Sequence, residues 1–406
     1  MDGNIRTFRR LVLENRDFRR LWLSHTISLI GDWLSYIAIA VITLDKGEGA
    51  LAIGLVFLAH TIPTALVTPI SGPLADRFDR RKLLLAAYLV CSVITIGMWG
   101  IAELGSVLGL QLALFVRVCI SSIGITARSA AIPAVVGRED LAPANALLGL
   151  TWSVMFTLGL AVGGIATEYL SPSGAILLDA LTFILAAAVA WKLPRLQPDL
   201  GDGPLPRPGL KEMMQAYNFA KKRPRVMIMV FAKTPPLLAS AGAWVTLNMV
   251  ASSRLSAMSA AIALGLMQSV RAIGTGLGPL VPSSVFPRHP HVGAILAMFG
   301  AVAFAGFDVA WISFTALFVW GAGQGHNWVV STAELQAATP DHLLGRMVAL
   351  DFFLFSIAQS FGALGAGWVS DYYDDPAAGS WLTVSFGFLL FAYVAFITRA
   401  KKSETG

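Results

Sequence analysis

Apolar residues run along this chain in long blocks separated by short polar stretches, and within a block they occupy every face of a helix rather than one stripe. A block of about 20 such residues crosses a ~30 Å hydrocarbon core as a helix. Twelve blocks can be read, with breakers between them, at 20–44, 51–74, 82–104, 108–128, 143–167 and 174–193, then 226–250, 258–281, 291–309, 311–334, 344–369 and 380–398. The fold class this predicts is an all-α polytopic membrane protein with twelve transmembrane helices. Composition agrees: 56% of residues are apolar and 13% charged, too hydrophobic for a soluble protein of this length.

The pattern also divides in two. Residues 194–210, PRLQPDLGDGPLPRPGL, hold five prolines and three glycines and read as a linker. An amphipathic stretch at 211–223 follows and is expected to lie on the membrane surface. GPLAD at 72–76 is matched by GPLVP at 278–282, and REDLAPANALLGL at 138–150 by PDHLLGRMVAL at 340–350. The two spacings nearly agree, so the halves read as parallel copies, two six-helix bundles. The expected domains are therefore 1–193, a linker region 194–225 and 226–406.

Charge sets the orientation. Placing both termini in the cytoplasm puts 25 of the 30 Lys and Arg residues on that side, against Lys46 and Arg254 outside and Arg117, Lys233 and Arg271 within spans. That asymmetry accounts for a pI of about 9.4 through contact with anionic lipid, without nucleic acid. The first 20 residues carry six arginines and no apolar core, so no cleavable signal peptide is expected. Cys91 and Cys119 fall inside apolar blocks and read as packing residues. There is no phosphate-binding G-x-x-x-x-G-K-[ST] loop, no His/Cys/carboxylate set with metal-ligand spacing and no nucleophile–base constellation. Direct ATP-driven transport, a metal cofactor and an enzyme are not expected.

Charge is most concentrated between the second and third blocks. GPLADRFDRRKLL, 72–84, packs six charged side chains into the seven positions from Asp76 to Lys82. A charged turn held at the surface explains the basic residues. It leaves Gly72, which permits close helix approach, and Asp76, which could cap a neighbouring helix. G-x-L-A-D-R-x-x-R-R-K at this place resembles the signature loop of the major facilitator superfamily. FRRLWLSHTISLIGDWLSYIAIA, RSAAIPAVVGREDLAPANALLGL, AILLDALTFILAA and TPDHLLGRMVAL are similar to that superfamily's drug:proton antiporters, in its macrolide-efflux and enterobactin-exporter branch. The resemblance implies a rocker-switch exporter in which Gly72, Asp76, Arg77, Arg80 and Arg81 form a conformational latch. Asp79 departs from the pattern, where the family usually has glycine.

Ionisable residues inside the blocks each need a reason, since one at mid-bilayer costs roughly 2.5–3.5 kcal/mol on insertion scales. Asp32 in the first helix and Arg117 in the fourth lie at similar depth. Two readings stay open: a salt bridge joining two helices, and a proton-coupling pair in which Asp32 takes up the proton. Whether they face one another is a third question. Arg271, Glu334 and Asp351 are grouped as a gate network. Tyr36, Trp152, Lys233, Gln324, His326 and Asn327 are candidates for a substrate cavity, the last three within GAGQGHNW at 321–328. Asp179 is as readily structural as functional. Trp22, Trp99, Trp191, Trp311, Trp368 and Trp381 fall near helix ends, as an interfacial belt requires.

Together these expectations describe a monomeric secondary transporter of a bacterial inner membrane. It would export a small amphipathic compound, drug-like or siderophore-like, in exchange for protons. The rivals are a lipid or divalent-metal transporter of the same fold, and a membrane sensor that does not transport.

Overall fold

A computed structural model describes residues 2–403 except 138–139, 198–209, 282–283, 285–286 and 288. Among the described residues there is no strand. Helix α1 is Asp2–Leu13 and α2 is Arg16–Asp45. They are followed by α3 (Ala50–Arg77), α4 (Arg80–Glu103), α5 (Val107–Val135) and α6 (Leu141–Ala190). After the linker come α7 (Leu210–Lys221), α8 (Pro224–Phe231), α9 (Thr234–Arg254), α10 (Ala260–Leu277), α11 (Pro290–Gly306), α12 (Ala310–Ala338), α13 (Asp341–Tyr373) and α14 (Ala378–Ser403).

The helices bear out the expected all-α fold. Eight of the described helices, α8 and α9 counted together, are long and apolar enough to cross a membrane, and α11 and α14 are shorter apolar helices. The 50-residue α6 is two passes, not one: Ser171 stands at φ 66°, ψ 160° just before Pro172. A left-handed serine followed by a ring that lacks an N–H breaks the helical ladder there. Helix α12 carries Gln324, His326 and Asn327, which lower its hydropathy although it spans 29 residues. The predicted spans agree with the helices to within a few residues at most ends. The main exception is α5, which runs on to Val135.

Two compact units result. One comprises 1–42 and 66–208, the other 43–65 and 209–406. The boundary expected at 193 therefore lacks one feature: the first half of α3 groups with the second unit. The reason is local packing within that unit. A Cβ at Gly54 would stand 2.6 Å from the carbonyl oxygen of Ala363, and one at Gly367 would stand 2.5 Å from that of Ala50, so α3 and α13 touch backbone to backbone. Most of the expected linker, 198–209, lies outside the described residues.

Candidate functional site

In the first unit, α2, α5 and α6 each contribute one charge to a common cluster. Arg117 of α5 is wholly buried. One arm of its guanidinium pairs with Asp179 of α6 and the other approaches Asp32 of α2 at 3.2 Å. Asp179 is itself wholly buried and accepts from the hydroxyls of Ser35 and Thr182 as well. The Arg117 guanidinium also lies 5.6 Å from the centre of the Phe183 ring. The expected Asp32–Arg117 pairing is thus present, but Arg117 belongs first to Asp179. Sequence left that partner open, because nothing in one sequence says that the first, fourth and sixth helices meet.

The two carboxylates differ in access. The Asp179 side chain has no exposed surface, whereas that of Asp32 keeps 26%. Asp32 opens on a cavity of about 40 Å³, lined among others by His25, Ser28, Tyr88, Ser121 and Arg128. That volume is large enough to hold a water. His25, Ser28 and Asp32 recur at helical spacing and share one face of α2. A proton could reach Asp32 through this water-sized space, and Arg117 would remain neutralised by Asp179 after Asp32 was protonated.

Sequence reasoning missed two of these groups. Arg128 was placed at the very end of the fourth span and its charge counted with the cytoplasmic residues, yet α5 continues for seven residues beyond it and turns it into the cavity. There it meets the Nδ1 atom of His25. The available signal was ITARSAAIPAVV, which stays apolar on one face through Pro133.

The second unit holds another buried pair. Lys233 lies between α8 and α9, where the helix is interrupted, and its ammonium pairs with Asp351 of α13. The Lys233 ammonium also lies 4.8 Å from the Trp328 ring centre. Arg271 and Asp351, grouped above as one network, have different neighbours. Arg271 donates to Gln268 at 3.3 Å and to Gln324 at 3.2 Å. It is flanked by the rings of Trp244 at 4.1 Å and Trp320 at 5.1 Å. Glu334 is half-buried and forms no ion pair with either among the described residues.

The other cavity candidates are scattered. Asn327 spends its amide on the backbone, donating to the carbonyls of Ala232 at 3.1 Å and Pro290 at 2.9 Å. His326 is buried. Tyr36 is buried edge-on to Trp33, while Trp152 is exposed and stacks on Phe156.

At the charged turn, the Asp76 side chain lies outside the described residues. Gly72 is not at a close approach, since a Cβ there would meet nothing within 4 Å. Arg77 is exposed. Asp79 does what glycine could not: it caps α4 by accepting from the Arg81 N–H at 2.9 Å and accepts from the Leu196 N–H at 3.1 Å. The Arg80 N–H returns a bond to the Leu196 carbonyl at 3.1 Å, and Arg81 donates to the Trp191 carbonyl at 2.6 Å. These bonds tie the turn to the segment that leaves the sixth pass. Among the described residues, no cluster of His, Cys, Asp and Glu could hold a metal ion.

Residues 21–363 match the Major Facilitator Superfamily, and the chain belongs to it. It is similar to the enterobactin exporter EntS of Citrobacter koseri, with 30% identity over 349 residues, 82% of this chain and 80% of that one. It is also similar to an uncharacterized MFS-type transporter, YkuC of Bacillus subtilis, at 26% identity over 176 residues. That match spans 43% of this chain and 41% of YkuC, so the chain covers under half of that relative. Among solved structures it resembles a bacterial homolog of the lysosomal transporter Spinster, captured inward-facing and unoccupied. The TM-score there is 0.71 at 16% identity, over 94% of this chain and 96% of that one. The nucleoside transporter NupG gives 0.69 at 11% identity over 95% and 98%. The chain is a multi-pass membrane transporter of a small molecule, not an enzyme.

Proposed function

We propose that the protein exports a small amphipathic compound, drug-like or siderophore-like, across a bacterial inner membrane in exchange for protons. Both termini lie in the cytoplasm, and the chain works as a monomer whose halves rock. Asp32 is the proton site and Arg117 its electrostatic partner. Gly72, Asp76, Arg77, Arg80 and Arg81 act as the latch at the cytoplasmic end. One observation carries the reading: of two carboxylates on one buried arginine, Asp179 is sealed and Asp32 borders a water-sized cavity. A purely structural bridge gains nothing from leaving one carboxylate accessible. The export direction is supported by similarity to enterobactin exporters over most of both chains.

Proton flux in proteoliposomes with an internal pH dye tests this. A panel of hydrophobic cations, macrolides and catecholate siderophores is added to wild type and to Asp32→Asn. Substrate-dependent flux that disappears in Asp32→Asn, in protein that remains monodisperse, is the expected result. Equal flux in both proteins removes Asp32 from the coupling step. No flux with any compound in folded wild type argues against proton antiport.

A further inference from the structure

The end of α3 away from the charged turn is held by a second device. Asp371, in the last turn of α13, reaches the first turn of α3. One carboxylate oxygen accepts from the Ala50 N–H at 2.6 Å and the other from the Leu51 N–H at 2.9 Å. These are among the amides that a helix N-terminus leaves without intrahelical partners, at the positive end of its dipole. Asp371 therefore serves α3 as a cap supplied from a helix more than 300 residues away in sequence. Gly49 makes room for it, since a Cβ at that position would press into the carboxyl group at 2.7 Å from its carbon.

The seam continues down both helices. Gly54 lies against the backbone of Ala363, and Gly367 against that of Ala50. Two turns below Gly54, the hydroxyls of Thr61 and Ser360 meet at 2.5 Å. Phe57 packs on Trp244 of α9, with ring centres 5.0 Å apart. The lower half of α3 has a different attachment: Ser71 accepts from the hydroxyl of Thr126 on α5 at 2.8 Å, and residues 66–77 group with the first unit. A single continuous helix is thus attached to one unit by one half and to the other unit by the other half. Rocking of the halves must therefore either bend α3, which carries Pro63 and Pro69 beside the boundary, or release one attachment.

We propose that Asp371 is the outer latch of the transporter. Its carboxylate cap on α3, with the glycine seam below it, holds the α3–α13 face closed at the end opposite the charged turn, and this cap releases once in each cycle. The inference goes beyond the coupling site and does not depend on which ion or compound is carried.

The test uses the full chain with Cys91 and Cys119 replaced by serine, leaving no native thiol. Ser360→Cys then reports on the seam, because Ser360 is completely buried there. The rate of labelling by a membrane-impermeant maleimide is measured in cells. Adding Asp371→Ala should raise the rate about threefold to fivefold, the effect of losing a helix cap at an exposed site. Asp371→Asn, which keeps one acceptor oxygen, should fall between. Gly54→Ala, which forces the seam apart by backbone contact, should also raise it. An unchanged rate in Asp371→Ala, in protein shown to be monodisperse, overturns the proposal even if Gly54→Ala opens the seam. As a second arm, Thr61→Cys with Ser360→Cys can be oxidised to a crosslink across the seam. A crosslinked protein that still transports would show that α3 never leaves α13, which also overturns it. The labelling arm requires no substrate and no proton gradient, so its outcome is separate from that of the antiport reading.

Discussion

Arg117 is the residue on which the first unit's electrostatics turn, and its two carboxylates should respond differently to the same substitution. Asp179 is sealed and bonded by Arg117, Ser35 and Thr182. Removing its charge leaves a buried guanidinium dependent on one more distant partner, and breaking a buried pair this way costs about 3–5 kcal/mol. Asp179→Asn should therefore fail to fold or should lose most of its thermal stability in detergent. Asp32→Asn removes the partly exposed carboxylate and leaves the Arg117–Asp179 pair intact, so its melting temperature should stay close to wild type. Thermal unfolding followed by size-exclusion chromatography checks both, and equal destabilisation would return Asp32 to a structural role. The depth of Asp32 and Arg117 could be read by counting residues along antiparallel helices. Asp179 was visible as a buried acid without a partner, because its contacts depend on which helices neighbour one another in space. Arg128 was lost for a different reason: apolar patterning blurs where a helix ends, and an arginine near a membrane face reads as that end.

At the scale of elements, the interruption between α8 and α9 has a cause that the sequence states plainly. Pro235 and Pro236 have no N–H, so the carbonyls of Phe231 and Ala232 lose their usual helical donors four residues on. Two prolines in an apolar block were enough to foresee a bend. They did not reveal what repairs it. The Asn327 amide donates to the Ala232 carbonyl and also to that of Pro290, tying three helices at the break. This gives the polar residue of GAGQGHNW a structural task within the membrane, where an orphaned carbonyl has no water to turn to. Its neighbouring glycines serve the same packing: Gly323 lies against Gly293 and Ala297 of α11, while Gly321 and Gly325 lie against α10. Asn327→Ala should cost about 1–3 kcal/mol through the two buried acceptors it abandons, read as a lower thermal midpoint. Asn327→Asp offers no donor in its ionised form and should be at least as damaging. If Asn327→Ala melts like wild type but transports poorly, Asn327 belongs to the substrate path instead.

For the whole molecule, hydropathy and breakers were enough to recover the all-α architecture, since each pass is long, apolar and punctuated. What they could not give was the division of α3. Residues 51–74 read as one undifferentiated block, and the grouping of 43–65 with the second unit depends on how α3 packs, through Gly54, Gly367 and Asp371. Orientation, by contrast, rests on a property of the entire chain. Basic residues cluster at one set of helix ends and the acidic run Asp371, Asp374, Asp375 lies at the other. A single cysteine introduced as Asp375→Cys, in a background with both native cysteines replaced, should react with an impermeant maleimide in intact cells. Lys222→Cys, just beyond α7, should react only after the membrane is permeabilised. The opposite pattern would invert the protein in the membrane. The Asp371 cap would then face the cytoplasm and the charged turn would face outward. The latch argument would survive with its two sides exchanged, and proton antiport would still drive the compound outward, because the proton gradient and not the orientation sets its direction.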